Sequence, residues 1–469
     1  MVLFLWISQT LAPYVSTPKQ CNVEVTVQVP KTTVAKPRAS TDVDLTSVTL
    51  SDEQHKVLEY MEGGSDSMFI TGKAGTGKSL LLQYFIANTK KRAVVVAPTG
   101  VAAMNIGGQT IHSFFKLAPT LLRQEDVTVD ERTRTLLKHV DVVVIDEVSM
   151  VRADLMEAIN WKLQLARGSH LPFGGVQMLF FGDLYQLPPI VTDQALSQYL
   201  YETYEGIYFF NAPACRRAEL RIFELSTMFR QKDEEFRRVL NAIRKGDITQ
   251  EIIDTLNTRV GVPLPEDGFI TLAGTNAVVS RTNHEKLGFL QGQHKTYTAK
   301  VTGALQESAF PTEGVLQLKV GAQVMLLKND REKRWVNGSI GVVTSLGDTE
   351  VGVTIDGKKH SIPKETWETV RYSYNKEDES IESDVASSFT QMPMRLAWAI
   401  TVHKSQGKTY DAVAVDLTQG AFAHGQTYVA LSRCTTLEGL YLKSPINSRH
   451  IIVDPAIIEF MAKAEVVKL

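Results

Sequence analysis

The sequence predicts an α/β protein made of two parallel-sheet lobes, with a small β-barrel inserted in the second. Three observations carry that expectation. Short β-branched runs alternate with helical stretches, a glycine-rich loop follows the first such run and opens a helix, and hairpin dipeptides cluster in one late stretch. The size allows it, since 469 residues with 43% hydrophobic and 22% charged content can fill more than one core.

The formal net charge is -2. A bound polyanion would therefore have to meet basic side chains gathered in a channel rather than spread over the surface. Cys21, Cys215 and Cys434 lie far apart and form neither a CxxC pair nor an even disulfide framework, which fits a reducing interior and argues against zinc. The apolar start from Val2 to Ile7 has no basic residue before it and is broken by Ser8, Gln9 and Thr10. Neither a secretory signal nor a membrane span is expected. From Ser16 to Thr46 the chain is rich in Thr, Val, Lys and Pro without helical period, so residues 1–46 read as a loosely ordered tail.

Residues 47–215 form the first lobe, with apolar runs at Met68 to Thr71, Ala93 to Ala97, Val142 to Asp146 and Met178 to Gly182. Runs of that length separated by helices are strands covered on both faces. The charged, helix-compatible stretch 117–139 reads as a small excursion from it. Residues 216–300 and 391–469 form the second lobe, with runs at Phe269 to Ala273, Ala412 to Leu417 and Gly439 to Leu442. A helical pattern at Glu234 to Arg244 lies between the lobes. Residues 301–390 differ: Gln323 to Leu327, Gly341 to Leu346 and Val351 to Ile355 are short strands punctuated by Asn337-Gly338 and Asp356-Gly357, which predicts an inserted barrel.

The loop Gly72-Lys73-Ala74-Gly75-Thr76-Gly77-Lys78-Ser79 satisfies GxxxxGK[ST]. Its glycines, including Gly72, Gly75 and Gly77, let backbone N–H groups at Thr76 and its neighbours wrap phosphates at a helix N-terminus. Lys78 adds a point charge between the β and γ groups, and Ser79 can ligate magnesium, so ATP and Mg2+ are the expected cofactors. The strand ending Asp146-Glu147 supplies a carboxylate for the magnesium and another, Glu147, to polarise the attacking water. A third strand leads into Gly182-Asp183-Leu184-Tyr185-Gln186-Leu187-Pro188-Pro189, where Gln186 faces the γ-phosphate, unless it is only a loop glutamine stiffened by prolines.

Together these residues resemble superfamily 1 helicases, and most closely the petite integration frequency (Pif) family and its RecD-like relatives. The loop Gly72 to Ser79 looks like motif I, DEVSM like motif II and GDLYQLPP like motif III. Ala97-Pro98-Thr99-Gly100-Val101-Ala102-Ala103 with Thr110-Ile111-His112-Ser113-Phe114 resembles motif Ia and its neighbour. Leu225 to Gln231 (LSTMFRQ) resembles motif IV, Thr401 to Gly407 motif V and Tyr428 to Arg433 motif VI. The resemblance covers about residues 47–445. It implies two RecA-like P-loop NTPase lobes, an SH3-like barrel at the insertion, and arginine fingers at Arg230 and Arg433 that reach the γ-phosphate across the cleft.

The resemblance also makes Gln54 the glutamine that reads adenine and Gly407 part of the nucleotide site. From the residues alone, Ser51-Asp52-Glu53-Gln54 is equally a capping box. Track contacts are expected at Pro98, Thr99, His112 and Phe114 on the first lobe and at His403, Lys404 and Ser405 on the second, with aromatic rings stacking on bases. Adjacent Phe114 and Phe115 also fit a core position. The basic loop Lys328, Arg331, Lys333, Arg334 and Trp335 reads either as a nucleic-acid surface or as a solvated charge run.

The implied activity is an ATP-dependent DNA helicase that walks 5′ to 3′ on single-stranded DNA in replication, repair and recombination. Partners would be single strands and DNA junctions, without a membrane and as a monomer. The setting would be bacterial cytoplasm, or the nucleus or mitochondrion of a eukaryote. An RNA helicase and a non-motor ATP-binding clamp are the alternatives, separated by which polymer stimulates phosphate release.

Overall fold

The computed structural model describes residues 49–469 apart from positions 230, 232, 267, 333, 376, 378 and 419. The tail expected over residues 1–46 and the expected finger Arg230 lie outside the described residues.

The first lobe contributes β1 (Met68–Gly72), β2 (Ala93–Ala97), β3 (Gln109–Thr110), β4 (Val142–Ile145), β5 (Gln177–Phe181) and β6 (Arg221–Leu225). They form one parallel sheet in the order β3-β2-β4-β5-β1-β6. Every residue of β1, β2, β4 and β5 is buried, as helices on both faces require. Alternation feeds two cores: Phe69, Val94, Val143 and Met178 point into one, Ile70, Val95, Val144 and Leu179 into the other.

The lobe boundary expected at 215 lies further on, because β6 pairs with β1 along its whole length, from Met68 opposite Arg221 to Gly72 opposite Leu225. RIFEL alternates polar and apolar residues as an edge strand does, so it carries little signal until its partner is known. The second-lobe range 391–469 is also corrected at its end. Val466 bridges to Ile222, the Val467 N–H donates to the Ile222 carbonyl at 2.8 Å, and Val467 and Leu469 pack on the first lobe's core. The stretch 117–139 packs into that lobe too, through Leu122, Val127, Leu136 and Leu137.

The second lobe begins with helices Glu234–Lys245 and Gln250–Asn257 and its strands with β7 (Ile270–Ala273), and the chain then departs into β8 (Lys295–Thr298), β9 (Lys300–Thr302), β10 (Val315–Leu318), β11 (Gln323–Leu326), β12 (Ile340–Leu346), β13 (Glu350–Ile355), β14 (Lys358–Pro363), β15 (Glu365–Asn375), β16 (Ser380–Gln391) and β17 (Met394–Leu396). It resumes with β18 (Ala399–Thr401), β19 (Val413–Asp416) and β20 (Leu440–Leu442). Its sheet is parallel, ordered β18-β7-β19-β20.

The departure is wider than 301–390. A five-stranded antiparallel sheet, β14-β13-β12-β11-β17, encloses its own core of Trp335, Val353, Ile362 and Met394. Asp356 and Gly357, at φ 49° and 75°, make the tight turn between β13 and β14. Beside this sheet, β15 and β16 form a long hairpin that the sequence reading did not anticipate, since its strands are polar and its tip lacks a glycine pair.

Candidate nucleotide cleft and its lobe contacts

The loop after β1 is shaped by its glycines. At Gly77 the backbone is left-handed (φ 78°), which favours glycine where helix Lys78–Asn88 begins, and an added Cβ 2.5 Å from the Gln54 amide nitrogen would push that side chain away. Lys78 Nζ donates to the carbonyls of Gly72 and Lys73 at 2.7 and 3.0 Å, which holds its ammonium across the mouth of the loop. Ser79 is exposed beside it. Gln54 makes the capping box expected from the residues and a second contact that was not expected. Its Oε1 accepts from the Ser51 N–H at 3.0 Å to close the capping box, and its Nε2 donates to the Thr76 and Gly77 carbonyls at 3.4 Å. It is thus a buried brace for the loop.

Asp146 and Glu147 sit half-buried at the end of β4. Glu147 holds a left-handed backbone (φ 51°), uncommon for a residue with a side chain, and its N–H donates to Asp146 Oδ1 at 3.0 Å. Burial raises both carboxyl pKa values, and the Asp146 charge raises that of Glu147 further, while Lys78 opposes the rise. Two such carboxylates beside one lysine suit a site where a cation is shared with phosphates.

The second lobe closes onto this pair. Gln406 Nε2 lies 3.3 Å from Glu147 Oε2 and also 3.3 Å from Gln186 Oε1, and Gln186 Nε2 donates in turn to Asp183 Oδ2 at 3.3 Å. The Ala74 N–H of the phosphate loop donates to the Tyr428 hydroxyl at 3.1 Å. The Phe229 N–H donates to the Gly75 carbonyl at 3.0 Å, with its ring largely exposed. Gly407, at φ 77°, turns the chain just after Gln406.

Arg433 is buried in the second lobe. It donates to the carbonyls of Val429, Ser405 and Lys408 at 3.0, 3.4 and 3.2 Å and to Ser432 Oγ at 2.9 Å. Burial depresses its pKa, and the Tyr428, Tyr410 and Glu147 charges counter this. The expected finger is therefore sheathed by its own lobe while electrostatically coupled to Glu147.

On the track side, Thr99 caps the helix Gly100–Asn105 by accepting from the Ala102 N–H at 3.2 Å, with Pro98 half-buried before it. His112 is half-buried with Nδ1 3.3 Å from the Leu117 carbonyl, and burial lowers its pKa. Phe114 is corrected: at 4% exposure it packs edge-on against Phe115 and Tyr372, so no face is free for a base. Ser405 is corrected as well, being fully buried with its hydroxyl donating to the Val402 carbonyl at 2.7 Å. His403 is half-buried and Lys404 exposed. Burial lowers both pKa values, and Arg395 adds to the effect on Lys404.

In the insertion, Arg334 forks onto Asp330 at 2.7 and 2.9 Å, Lys328 meets the Thr366 carbonyl at 2.7 Å, and Trp335 belongs to the core. Lys328 and Arg334 are therefore held by partners within the insertion rather than standing open. Sequence reading passed over Gln406, Tyr428, Asp183 and Phe229 as contact residues, although each stood within a quoted motif. Their partners lie on another lobe or another turn, which spacing does not reveal.

Comparison with known proteins points to one family. Residues 49–253 match the family model described as PIF1-like helicase, and residues 303–346 match that of the DNA helicase Pif1 2B domain. The ATP-dependent DNA helicase Pif1 of Bdellovibrio bacteriovorus is 32% identical over 430 residues, which is 89% of this chain and 93% of that one. The crystal structure of Bacteroides sp Pif1 in complex with ADP-AlF4 superposes with a TM-score of 0.83 at 37% identity, covering 89% of this chain and 97% of that one. Bacteroides Pif1 bound to ssDNA gives 0.65 at 38% identity over the same shares. A phosphate loop, its carboxylate pair and a second lobe closing on both, joined to likeness over nearly the whole described chain, establish that this protein belongs to the family of Pif1-like helicases.

Proposed function

We infer that the protein couples ATP hydrolysis to movement along single-stranded DNA and so unwinds duplexes. The observation that carries this reading is Gln406, a second-lobe residue within hydrogen-bond distance of both Glu147 and Gln186 of the first lobe. A residue so placed ties the state of the γ-phosphate to the distance between lobes, which is what a motor needs.

In this reading the N–H groups of Gly75 to Ser79 and the Lys78 ammonium hold the phosphates, Gln54 and the Phe229 ring meet the base, and Glu147 takes the proton of the attacking water. Ser79 and Asp146 would hold magnesium, since a hydroxyl and a carboxylate are the hard oxygen donors this ion takes. The ion would supply charge neutralisation on the phosphates. Gln186 orients the γ-phosphate, and Arg433, with Arg230, stabilises the charge that develops as the lobes close.

Pro98, Thr99 and His112 on one lobe and His403 and Lys404 on the other would grip successive phosphates of the strand. A monomer moving 5′ to 3′, in the compartment that holds the genome and at junctions of replication, repair and recombination, completes the proposal. Strand displacement on duplexes with 5′ or 3′ tails, in DNA and in RNA, tests it. Unwinding only from 5′ DNA tails is expected. Unwinding from 3′ tails alone would reverse the polarity, stimulation by RNA alone would change the track, and no polymer-stimulated phosphate release would leave a clamp.

A further inference from the structure

We propose that Arg244 is a positioning residue of the ATPase: reaching out of the second lobe, it anchors the turn that carries Gln186 and so couples lobe closure to the γ-phosphate. This inference rests on the motor reading and adds to it a residue that touches neither nucleotide nor strand.

Arg244 lies on the last turn of helix Glu234–Lys245, which packs against helix Gln426–Leu431 of the second lobe. An arginine at a helix end ordinarily extends its head into water and interacts with the final carbonyls. This one is buried, with its side chain 2% exposed. Its NH2 donates to Asp183 Oδ1 at 3.1 Å and its NH1 to Glu224 Oε1 at 3.3 Å, while its guanidinium carbon lies 4.2 Å from the centre of the Tyr185 ring. Asp183 and Tyr185 belong to the turn after β5, and Glu224 belongs to β6. All three partners are therefore in the first lobe.

The Asp183 carboxylate, fully buried, divides its oxygens usefully. Oδ1 accepts from Arg244 and, at 3.2 Å, from the Tyr185 N–H, and Oδ2 accepts from the Gln186 amide at 3.3 Å. Gln186 then offers its own Oε1 to Gln406, which also reaches Glu147. The outcome is an unbroken path of polar contacts, Arg244–Asp183–Gln186–Gln406–Glu147, in which the second lobe supplies Arg244 and Gln406 and the first lobe the other three. A charge-assisted fork from Arg244 fixes the turn, and Gln406 reads it. Without Arg244 the buried Asp183 charge loses its cation in the path and keeps the Tyr185 N–H and the Gln186 amide, of which the Gln186 side chain is the one free to shift toward it. Gln186 would then leave the place from which it meets Gln406.

The test is steady-state ATPase with and without single-stranded DNA, with strand advance per ATP measured on the same preparations. Arg244→Gln should lower DNA-stimulated kcat by about tenfold or more while KM for ATP and affinity for single-stranded DNA shift by less than about threefold. Arg244→Lys, which keeps charge but not the fork, should recover part of the loss. Asp183→Asn combined with Arg244→Gln should be no worse than Arg244→Gln alone, since both remove one link. Tyr185→Leu, which leaves no buried charge unpaired, should lower strand advance per ATP without unfolding, and covers the case in which Arg244→Gln fails to fold. Unchanged kcat and coupling in both Arg244→Gln and Tyr185→Leu overturns the proposal, as does a loss of kcat matched by an equal weakening of ATP binding. Wild-type protein without DNA-stimulated turnover would instead overturn the motor reading itself.

Discussion

The first lobe is met by the rest of the chain at two seams of opposite chemistry. At the nucleotide cleft the contacts are polar and individually placed: Ala74 to Tyr428, Glu147 to Gln406 to Gln186, and Asp183 to Arg244. At the far side the hairpin of β15 and β16 lays aromatic rings on the same lobe. Tyr372 meets Phe114 edge-on at 5.6 Å, and Tyr374 stacks on His139 at 3.6 Å between ring centres. A polar contact adds to this seam, the Val95 N–H donating to the Tyr372 hydroxyl at 3.3 Å. It exists because β3 is only two residues long, pairing with Val96 and Ala97 and leaving Val95 without a strand partner on that side.

Hydrogen bonds weaken steeply with distance and angle, whereas ring contacts tolerate small slides. The first seam can therefore report a small change at the phosphates. The second mainly supplies buried area, and mutations should sort accordingly.

The largest expected effect belongs to the cleft. Lys78→Ala removes the point charge at the phosphate loop, and phosphate release should fall on the order of 10²–10³-fold, the usual consequence of losing one stabilising group at a developing charge. Single-strand binding, measured by fluorescence anisotropy, should remain. Surviving turnover would place the chemistry elsewhere.

The hairpin seam should answer in stability instead. Tyr372→Ala opens a cavity beside Phe114 and strands the Val95 N–H, at a cost of about 3–5 kcal/mol as for other aromatic truncations in cores. Tyr372→Phe keeps the ring and should cost only about 1 kcal/mol. Chemical denaturation of both variants measures the difference. DNA-free turnover, taken below the melting temperature, should match wild type, and a loss in Tyr372→Phe would show that the seam is not passive.

Much of the fold was legible because the lobe strands are nearly unbroken apolar runs, Ala93 to Ala97 above all, that only a covered sheet can bury. The phosphate loop and its carboxylates were legible for a different reason: their spacing is local to one turn each. What stayed hidden depends on partners distant in sequence. Gln186 and Gln406 meet across 220 residues and Asp183 and Arg244 across 61. Arg244, which with Lys245 ends an amphipathic helix, offers no pattern that separates it from a solvated charge. Phe114 misled because adjacent aromatics fit a stacking platform as well as a core. Only the hairpin that covers its ring decides between them, and that hairpin is polar along most of its length.

A moderate effect is expected back at the cleft. Gln406→Ala leaves Glu147 and Gln186 in their own lobe but removes the group that touches both, so kcat should drop roughly tenfold with KM for ATP little changed, the signature of an interaction made for the transition state. A rise in KM at constant kcat would mean that Gln406 only helps hold the nucleotide.

The smallest effect should come from His139→Ala, which breaks the stack on Tyr374. The rings lie nearly parallel at 11°, and His139 Nδ1 is 2.7 Å from the Thr135 carbonyl of its own helix, so the imidazole is already held before the hairpin arrives. Both rings are half-exposed, which leaves water as a ready replacement and puts the loss at about 0.5 kcal/mol, the low end for aromatic pairs. Melting should move by about 1 °C, given the shallow response of large domains. Turnover and unwinding should stay within about twofold, because nothing in the Arg244-to-Glu147 path touches this ring. A fall in kcat as large as that of Gln406→Ala would mean that the hairpin's hold on the first lobe is felt at the phosphates, and the division between a reporting seam and a supporting seam would fail.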